Sequence, residues 1–290
     1  MSTPVFRFAP SPNGYLHLGH AYSALKNYEF AQRCGGRFLL RLEDIDQARC
    51  TEAYAQAIFE DLSWLGLTWE EPVRRQSGHF EDYERALQSL RERSLVYKAT
   101  LSRREVRDFA AGQPEQSSWP SDPDGAPIYP PEEVILSAED RRQREAMDHN
   151  FAWRLKMNEA LACVPDPLVW EENGSGPQGE RGAVSADPAA WGDVVLARKD
   201  VPTSYHLAVT IDDAAQGVTD IVRGCDLFWS TSVHRLLQSL LKLPVPRYIH
   251  HDLVLDENGR KLSKSLKHTS VRSLRSQGVT VKDVRRMIGL

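Results

Sequence analysis

Cysteine is scarce in this sequence of 290 residues, and its few cysteines form no recognisable pair. Cys34, Cys50, Cys163 and Cys225 lie far apart, and none belongs to a Cys-x-x-Cys motif. Small secreted domains that depend on disulfides carry cysteine at much higher density. The pattern argues against a disulfide scaffold and fits free thiols in a reducing compartment.

Long apolar runs are missing as well. No stretch of about 18 apolar residues occurs, and the N-terminus lacks the basic segment and apolar core of a signal peptide. A composition of 41% hydrophobic and 26% charged residues is typical of a soluble globular protein with one large or two modest domains. We therefore expect a cytoplasmic protein with no membrane partner.

Net negative charge is small, and it is unevenly distributed. The formal net charge is −4, yet residues 258–290 contain nine basic residues and one acid, whereas the remaining chain has 27 basic and 39 acidic residues. A basic end on an acidic body indicates a surface that meets phosphates. An ordinary basic helical tail would give the same count, so both interpretations stay open at this point.

One early stretch combines a strand, a turn and a helix start. Val5 to Phe8 is apolar, Pro10, Pro12 and Asn13-Gly14 predict a turn, and a helix is expected to open near Leu16 and run to about Arg33. Unpaired N–H groups at such a helix start attract phosphate.

Two histidines lie in the first turn of that helix. His17 and His20 are three residues apart and share one face, while Gly19 has no side chain to block a flat ring or a sugar. A surface pair or half of a metal site would also explain them, although Glu29 and Cys34 do not complete a ligand set.

A second short stretch lies far along the chain. Lys261-Leu-Ser-Lys-Ser265 follows the Asn258-Gly259 turn and would form a cationic loop suited to a triphosphate. Taken alone, it is better explained as a solvated basic loop.

The two stretches together change the interpretation. His17-Leu-Gly-His20 and Lys261-Leu-Ser-Lys-Ser265 resemble the HIGH and KMSKS signatures of class I aminoacyl-tRNA synthetases, and Arg7-Phe-Ala-Pro-Ser-Pro-Asn-Gly14 resembles the glutamyl and glutaminyl subgroup. Further resemblance to this subgroup follows in order at three places: Arg41 to Asp46, Tyr205 to Asp213, and Thr219 to Leu227.

The resemblance implies ATP-dependent activation of glutamate. His17 and His20 would donate hydrogen bonds to phosphate oxygens, Gly19 would contact ATP, and Lys264, with Lys261, would neutralise the leaving pyrophosphate. Magnesium is expected with ATP, held chiefly by the phosphates.

The same resemblance implies a pocket for glutamate. The matching positions are Arg7, Phe8, Ala9, Pro10, Ser11, Glu43, Tyr205 and Arg223. Arginine forks suit two carboxylates, and Glu43 suits the ammonium group. A mutual Arg7–Glu43 ion pair and a half-buried strand aromatic at Tyr205 are the competing interpretations. Asp212, Asp213 and Asp226 rank lower, as groups behind the first layer of contacts.

Periodicity predicts an α/β fold: a doubly wound, Rossmann-like parallel sheet, split by an α+β insertion and followed by a short basic helical tail. The predicted boundaries are 1–97, 98–192, 193–257 and 258–290. Predicted strands are Val5–Phe8, Arg37–Leu42, Phe151–Met157, Asp193–Arg198, Tyr205–Ile211, Thr219–Arg223 and Tyr248–Leu255. Predicted helices after the first are Thr51–Leu65, Phe80–Leu95 and Trp229–Leu243, the last capped by Ser230 or Thr231, and residues 112–131 and 171–188 read as loops.

The chain departs from the resembled family at one place. Relatives often carry zinc on a Cys-x-Cys after a Val-Tyr-like strand, together with a later Tyr and Cys. Here the stretch reads Val96-Tyr-Lys-Ala-Thr-Leu-Ser102, and Tyr129 is followed by two prolines. Since zinc needs about four ligands, structural zinc is predicted to be absent.

Length selects among relatives. Only 25 residues follow Ser265, too few for the helical region with which glutamyl-tRNA synthetases read an anticodon. The chain therefore resembles the branch of the family that transfers glutamate to queuosine in the anticodon loop of tRNA(Asp), and we expect a monomer. A truncated ligase with another acceptor and a non-catalytic RNA-binding paralogue are the alternatives.

Overall fold

A computed structural model describes residues 3–114, 118–146, 151–255 and 270–290. Lys261 and Lys264 lie outside the described residues. Among those described, no helix is long and apolar enough to cross a membrane.

The first part of the chain alternates strands and helices. Its elements are β1 (Val5–Phe8), α1 (Leu18–Arg33), β2 (Arg37–Leu42), α2 (Glu52–Trp64), β3 (Glu70–Arg75) and α3 (Phe80–Glu92). Alternation of this kind produces right-handed parallel crossovers. The strands predicted at Val5–Phe8 and Arg37–Leu42 are confirmed, and the helices predicted at Thr51–Leu65 and Phe80–Leu95 are each slightly shorter.

The middle of the chain has shorter elements. They are β4 (Val96–Ala99), α4 (Arg103–Ala111), α5 (Ala138–Ala146), β5 (Ala152–Leu155), α6 (Met157–Ala162), β6 (Val169–Glu172), β7 (Gly182–Ser185) and β8 (Val195–Arg198). The remaining elements are α7 (Tyr205–Ala215), β9 (Asp220–Gly224), α8 (Ser230–Leu240), β10 (Arg247–His251), α9 (Val271–Ser276) and α10 (Val281–Met287).

The strands form two sheets. The larger has the order β3-β2-β1-β9-β10-β6-β7 and is parallel except for the β6–β7 pair. The smaller has the order β4-β5-β8 and is antiparallel. The α/β fold with a mainly parallel sheet is therefore confirmed, while the domain boundaries stay a prediction.

One predicted strand is wrong. Residues 205–211 begin helix α7, although Val209, Thr210 and Ile211 are β-branched and favour strands. Ser204 caps the helix by accepting a hydrogen bond from the Leu207 N–H group at 3.4 Å. Capping and burial of one helix face thus override the local preference of the side chains.

Three further predictions need correction. The stretch 171–188 was predicted as a loop, but it contains the end of β6 and all of β7, which extend the large sheet. The strand predicted at Asp193–Arg198 exists as β8, but it pairs with β5 in the small sheet. In α8 the N-cap is Trp229, which makes no side-chain capping bond, so neither Ser230 nor Thr231 caps the helix.

The C-terminal helices α9 and α10 pack on the first half of the large sheet's helical layer. Val271 and Val284 are fully buried in the same apolar cluster as Leu16 and Leu25. Arg285 Nη1 lies 2.7 Å from Glu29 Oε1 of α1, and Arg275 Nη2 lies 3.4 Å from Glu60 Oε2 of α2. The helical tail is thus confirmed, and several of its arginines pair with acidic groups of the body.

Candidate active site

The order of the large sheet places a cleft where its two halves meet. β1 pairs with β2 on one side and with β9 on the other, so successive crossovers run in opposite directions from this point. Ligands of open α/β sheets bind at the carboxyl ends of strands at such a switch point. A cavity of about 680 Å³ lies there.

The cavity collects almost every predicted site residue that the structure describes. Its lining includes the glutamate-pocket candidates, both histidines and Gly19. The full set of lining residues is Arg7, Phe8, Ala9, Pro10, Ser11, Asn13, His17, Gly19, His20, Ser23, Glu43, Arg49, Tyr205, Val222, Arg223, Gly224, Asp226, Leu227, His251, Leu253 and Val254.

The two histidines are oriented by the start of α1. His17 is the N-cap residue, and its Nδ1 accepts a hydrogen bond from the Gly19 N–H group at 3.1 Å. The backbone N–H of His17 donates to His20 Nδ1 at 3.2 Å. Because both Nδ1 atoms accept, each neutral ring carries its proton on Nε2.

Gly19 leaves room for this arrangement. A Cβ atom at this position would lie 3.0 Å from His17 Cε1, tighter than ordinary van der Waals contact. The absence of a side chain therefore lets the His17 ring fold over the first turn of α1.

Arg7 is held by a carboxylate that the sequence ranked low. Its Nε and Nη2 atoms donate to Asp213 at 3.0 and 3.3 Å. Arg41, fully buried, donates from Nη1 to the same carboxylate at 2.7 Å and from Nη2 to Glu43 at 3.1 Å. The Arg7–Glu43 ion pair considered from sequence is absent among the described salt bridges, since Asp213 takes Arg7 and Arg41 takes Glu43.

The pKa values of these acids respond to burial and to the guanidinium groups. Burial would raise the pKa of Asp213, but Arg7 and Arg41 outweigh it and hold that pKa below its ordinary value. For Glu43, burial dominates and raises its pKa, although Arg41 and Arg7 oppose it. Asp213 is therefore held in its ionised form, whereas burial disfavours ionisation of Glu43 and a cationic partner in the cavity would favour it.

Arg223 lies on β9 across the cavity and is held differently. Its guanidinium donates to His250 Nε2 at 3.1 Å, to Thr231 Oγ1 at 2.7 Å and to Tyr205 Oη at 3.4 Å. Tyr205 is the first residue of α7, so its predicted place in a strand is wrong, but it does lie beside Arg223.

Sequence reasoning missed the histidines around Arg223. His206, His234 and His250 come from α7, α8 and β10, and no motif connects them. The only sequence signal for any of them is that His206 directly follows Tyr205, a predicted pocket residue.

The described residues that precede and follow the segment with the late lysines lie beside this cavity. His251, Leu253 and Val254 line it on one side of the segment, and on the other Ser270 forms a β-bridge with His17. The Val271 N–H group also donates to the Leu16 carbonyl at 2.7 Å. Whether Lys261 and Lys264 reach the cavity stays a prediction.

The stretch that carries zinc ligands in the resembled family is occupied by hydrogen-bonding oxygen groups. Tyr129 Oη accepts from the Leu101 N–H group at 3.0 Å and donates to Glu132 at 2.5 Å, and the Thr100 hydroxyl donates to the other Glu132 oxygen at 2.9 Å. Within the described part of the chain, no group of three His, Cys, Asp or Glu side chains could hold a metal. Absence of structural zinc stays a prediction.

Comparison with known proteins gives a consistent family. Residues 5–289 match the family model for the catalytic domain of class I tRNA synthetases (E and Q). A glutamyl-Q tRNA(Asp) synthetase of Rhodobacter capsulatus is 44% identical over 99% of this chain and 100% of its own length. A glutamate–tRNA ligase 2 of Methylobacterium sp. is 39% identical over 95% of this chain but only 57% of its own length.

Solved structures agree in fold. The glutamate-tRNA synthetase of Elizabethkingia anophelis superposes with a TM-score of 0.70 and 27% identity, covering 96% of this chain and 54% of that protein. A glutamate tRNA ligase from Elizabethkingia meningosepticum, solved with its amino acid, gives 0.69 and 27%, with coverage of 96% and 53%. The chain thus spans slightly more than half the length of the glutamate–tRNA ligases that it matches.

Proposed function

The chain belongs to the class I tRNA synthetases for glutamate and glutamine, and on that premise we propose that it activates L-glutamate with ATP, without tRNA, and transfers the glutamyl group to queuosine of tRNA(Asp). As a ligase of the glutamyl-tRNA synthetase type it binds glutamate, ATP and tRNA. The identity of the acceptor nucleoside goes beyond what family membership implies and is part of the proposal.

The observation that carries the proposal is the charge pattern of one cavity. Arg7 and Arg223 approach it from β1 and β9, Glu43 follows β2, and His17 and His20 lie at the start of α1. Arg49 and Asp226 line the cavity as well, but it is the two cations Arg7 and Arg223 and the anion Glu43 that would match the two carboxylates and one ammonium of glutamate. The histidines and the helix start provide hydrogen-bond donors for phosphate beside that pocket.

Activation joins a carboxylate oxygen to the α-phosphorus while pyrophosphate leaves. The protein's contribution to such a step is position and charge. His17 and His20, each with its proton on Nε2, would donate to phosphate oxygens as negative charge develops. Lys264, with Lys261, would neutralise the leaving pyrophosphate.

The remaining pocket residues would orient the amino acid. Glu43 would bind the ammonium group, and the cation would in turn favour the ionised carboxylate. Ser11 and Tyr205 would add neutral hydrogen bonds, and the Phe8-Ala9-Pro10 segment would form the wall between them. Ser11 is placed by a hydrogen bond from its hydroxyl to the Glu43 carbonyl at 2.5 Å.

Class I synthetases use ATP with Mg²⁺, and the residues fit an ion carried by the nucleotide. Glu43 is engaged by Arg41, and the described residues contain no three-ligand group that could hold a metal. When bound, Mg²⁺ would neutralise phosphate charge, as it does in sites where the phosphates are the main ligands.

The acceptor rests on the relatives. The Rhodobacter capsulatus protein of the same span carries the name glutamyl-Q tRNA(Asp) synthetase, and this supports queuosine in the anticodon loop as acceptor. The name glutamate–tRNA ligase on the Methylobacterium sp. relative favours, as second candidate, transfer of glutamate to the end of a tRNA. A monomer acting in the cytoplasm completes the proposal.

The deciding experiment has two stages. Glutamate-dependent ATP–pyrophosphate exchange without tRNA is measured first, and its absence at saturating glutamate and magnesium would contradict the proposal and favour a non-catalytic RNA-binding role. Charging is then compared on three substrates: queuosine-containing tRNA(Asp), queuosine-free tRNA(Asp) and tRNA(Glu). We expect glutamate on the first alone. Charging of tRNA(Glu) would establish the second candidate, and exchange without charging of any tRNA would point to another acceptor.

A further inference from the structure

Arg223 differs from the other buried arginines of the cavity in its partners. Arg7 and Arg41 are paired with Asp213, and Arg41 also with Glu43. Arg223 is only 5% exposed, yet among the described residues no carboxylate oxygen lies within 4.0 Å of its guanidinium. All its described hydrogen-bond acceptors are uncharged atoms: His250 Nε2, His234 Nδ1, Tyr205 Oη, the Leu227 carbonyl and Thr231 Oγ1.

The first histidine is fixed by a carboxylate on its far side. An arginine can only donate, so His250 Nε2 accepts from Arg223 Nε, and the ring proton must lie on Nδ1. That Nδ1–H group donates to Glu172 Oε2 at 2.6 Å. Glu172 also accepts from the backbone N–H of His250 at 2.9 Å, which fixes the position of the ring.

The second histidine is fixed by a third. His234 Nδ1 lies 3.4 Å from Arg223 Nη1 and must likewise accept, so the His234 proton lies on Nε2. His234 Nε2 lies 3.2 Å from His206 Nδ1, which accepts a hydrogen bond from the Nε2–H group. Both rings are in contact with Tyr205, with centroid separations of 5.5 and 5.6 Å, so the cluster has little room to turn.

Burial and the nearby cation keep these rings neutral. The pKa of His234 is well below its ordinary value because of burial and then Arg223, and the pKa of His206 falls to about 4 for the same reasons. Burial lowers the pKa of His250 to about 4, although Glu172 opposes it. The acceptors facing Arg223 therefore stay uncharged at neutral pH.

We propose that His234 and His250 are positioning residues that hold Arg223 through uncharged acceptors, and that this keeps its positive charge available for the side-chain carboxylate of glutamate. The proposal rests on the proposed function, because it deepens the same pocket. The α-carboxylate has to reach phosphate beside His17 and His20. Of the two buried arginines that line the cavity, Arg7 is already paired with Asp213, which leaves Arg223 for the side-chain carboxylate. A carboxylate in place of either histidine would neutralise Arg223 before substrate arrives, and glutamine would then compete better.

A matched pair of substitutions tests this directly. His234→Gln and His234→Glu create side chains of equal size that differ by one charge. Glutamate-dependent ATP–pyrophosphate exchange gives kcat, the KM for glutamate, the KM for ATP and the inhibition constant of glutamine.

We expect His234→Gln to keep the KM for glutamate within about fivefold, because an amide oxygen still accepts from Arg223. His234→Glu should raise that KM by about 10²-fold, since a charge near the guanidinium offsets its attraction for the substrate. The KM for ATP and the inhibition constant of glutamine should change little in both. A merely structural role would move all these constants together.

A second pair of variants tests the same proposal if the His234 variants fail to fold. Thr231→Asn and Thr231→Asp place the same charge difference against Arg223 Nη2, in the first turn of α8, where a carboxylate is tolerated. An equal KM for glutamate in the neutral and charged members of a folded pair, or equal shifts for glutamate and glutamine, overturns the proposal. Wild-type exchange with glutamate is measured in the same series, so failure of the proposed function would be visible separately from failure of this inference.

Discussion

At the scale of single residues, the cavity depends on how buried charges are shared. Asp212 and Asp213 are neighbours on α7, and both lie near Arg41, whose Nε is 3.8 Å from Asp212 Oδ2, but their hydrogen-bond partners differ. Asp213 binds Arg7 and Arg41 beside the cavity, whereas Asp212 accepts from Arg74 Nε at 2.7 Å and from Tyr83 Oη at 2.9 Å, away from it. Substitution of one or the other of these adjacent acids therefore distinguishes an effect on the orientation of site residues from an effect on the stability of the fold.

Asp213→Asn should weaken glutamate binding. Removing one partner of a buried charge pair costs about 2–5 kcal/mol, part of which comes from the charge left unpaired. We expect the KM for glutamate in pyrophosphate exchange to rise by roughly 10²-fold, because Arg7 is no longer held in place. Asp212→Asn is the control and should lower the melting temperature with a much smaller change in KM. The same KM for both variants would contradict the assignment of Asp213.

Asp61→Asn should stabilise the protein at neutral pH. Asp61 is fully buried on α2, its carboxylate oxygens accept no hydrogen bond from any residue that the structure describes, and Arg275 Nη1 lies 3.6 Å away. Burial raises its pKa to about 6, above the ordinary value of 3.8, so the carboxyl favours the folded state only when protonated.

Its stabilising contribution is complete below pH 3.8 and disappears as the pH rises through 6. The amide substitution should therefore add about 1–3 kcal/mol to the free energy of unfolding at pH 8 and almost nothing at pH 4, as measured by urea denaturation. The prediction is contradicted if the difference in unfolding free energy between Asp61→Asn and the wild type is the same at pH 8 and at pH 4.

At the scale of elements, the C-terminal helices support the site from behind. Ser270 and Val271 hold the start of α9 against His17 and Leu16, and α10 is tied to α1 by Arg285 and Glu29. The arginines of the tail therefore serve partly to attach it to the acidic body. The sequence predicted either a phosphate-binding surface or an ordinary basic tail. Pairing of these arginines with acidic groups reduces the positive charge that such a surface would have.

Leu274→Ala should show that α9 is part of the cooperative fold. Leu274 is 8% exposed and packs in the cluster that contains β1, α1 and α2 side chains. Loss of its side chain should lower the free energy of unfolding by about 2 kcal/mol. Met287→Ala is the control, because Met287 is 52% exposed on α10, and it should change stability by less than about 0.5 kcal/mol. If Leu274→Ala changed the free energy of unfolding as little as Met287→Ala, α9 would not be part of the cooperative fold.

At the scale of the whole molecule, the neutral histidines around Arg223 link stability to pH. Their pKa values are lower in the folded protein than the ordinary 6.5, so the unfolded chain binds more protons in acid. Stability therefore rises with pH through this range and is lost as pH falls from about 6.5 toward 4. Asp61 works in the opposite direction over part of the same range.

We expect the free energy of unfolding to fall by about 3–5 kcal/mol from pH 7 to pH 5, since three histidines each lose up to about 1.4 kcal/mol per pH unit and Asp61 returns part of it. Urea denaturation at intervals of half a pH unit measures this slope. His206→Gln should reduce this slope by an amount that corresponds to the uptake of about one proton fewer on unfolding. A flat profile from pH 7 to pH 5 would contradict a neutral histidine cluster.

Sequence alone determined the strand–turn–helix at residues 5–33, the parallel α/β class and most of the cavity's lining. The strand–turn–helix and the fold class follow from local signals, namely apolar runs and turn residues. The lining follows from the two histidines one helical turn apart and from motifs that resemble those of the family. Arg7, Glu43 and Arg223 were identified because each lies in a motif that resembles the glutamyl and glutaminyl subgroup. In the structure they meet because the carboxyl ends of parallel strands lie at one edge of the sheet.

Tertiary structure alone decided how those residues are held. It made Tyr205 the first residue of a helix, took β7 and the end of β6 from a predicted loop into the large sheet, and gave Arg7 to Asp213 rather than to Glu43. It also gathered His206, His234 and His250 from three separate elements around Arg223. Contacts between residues far apart in the chain leave no local periodicity, because burial and charge compensation select them only after the elements have packed.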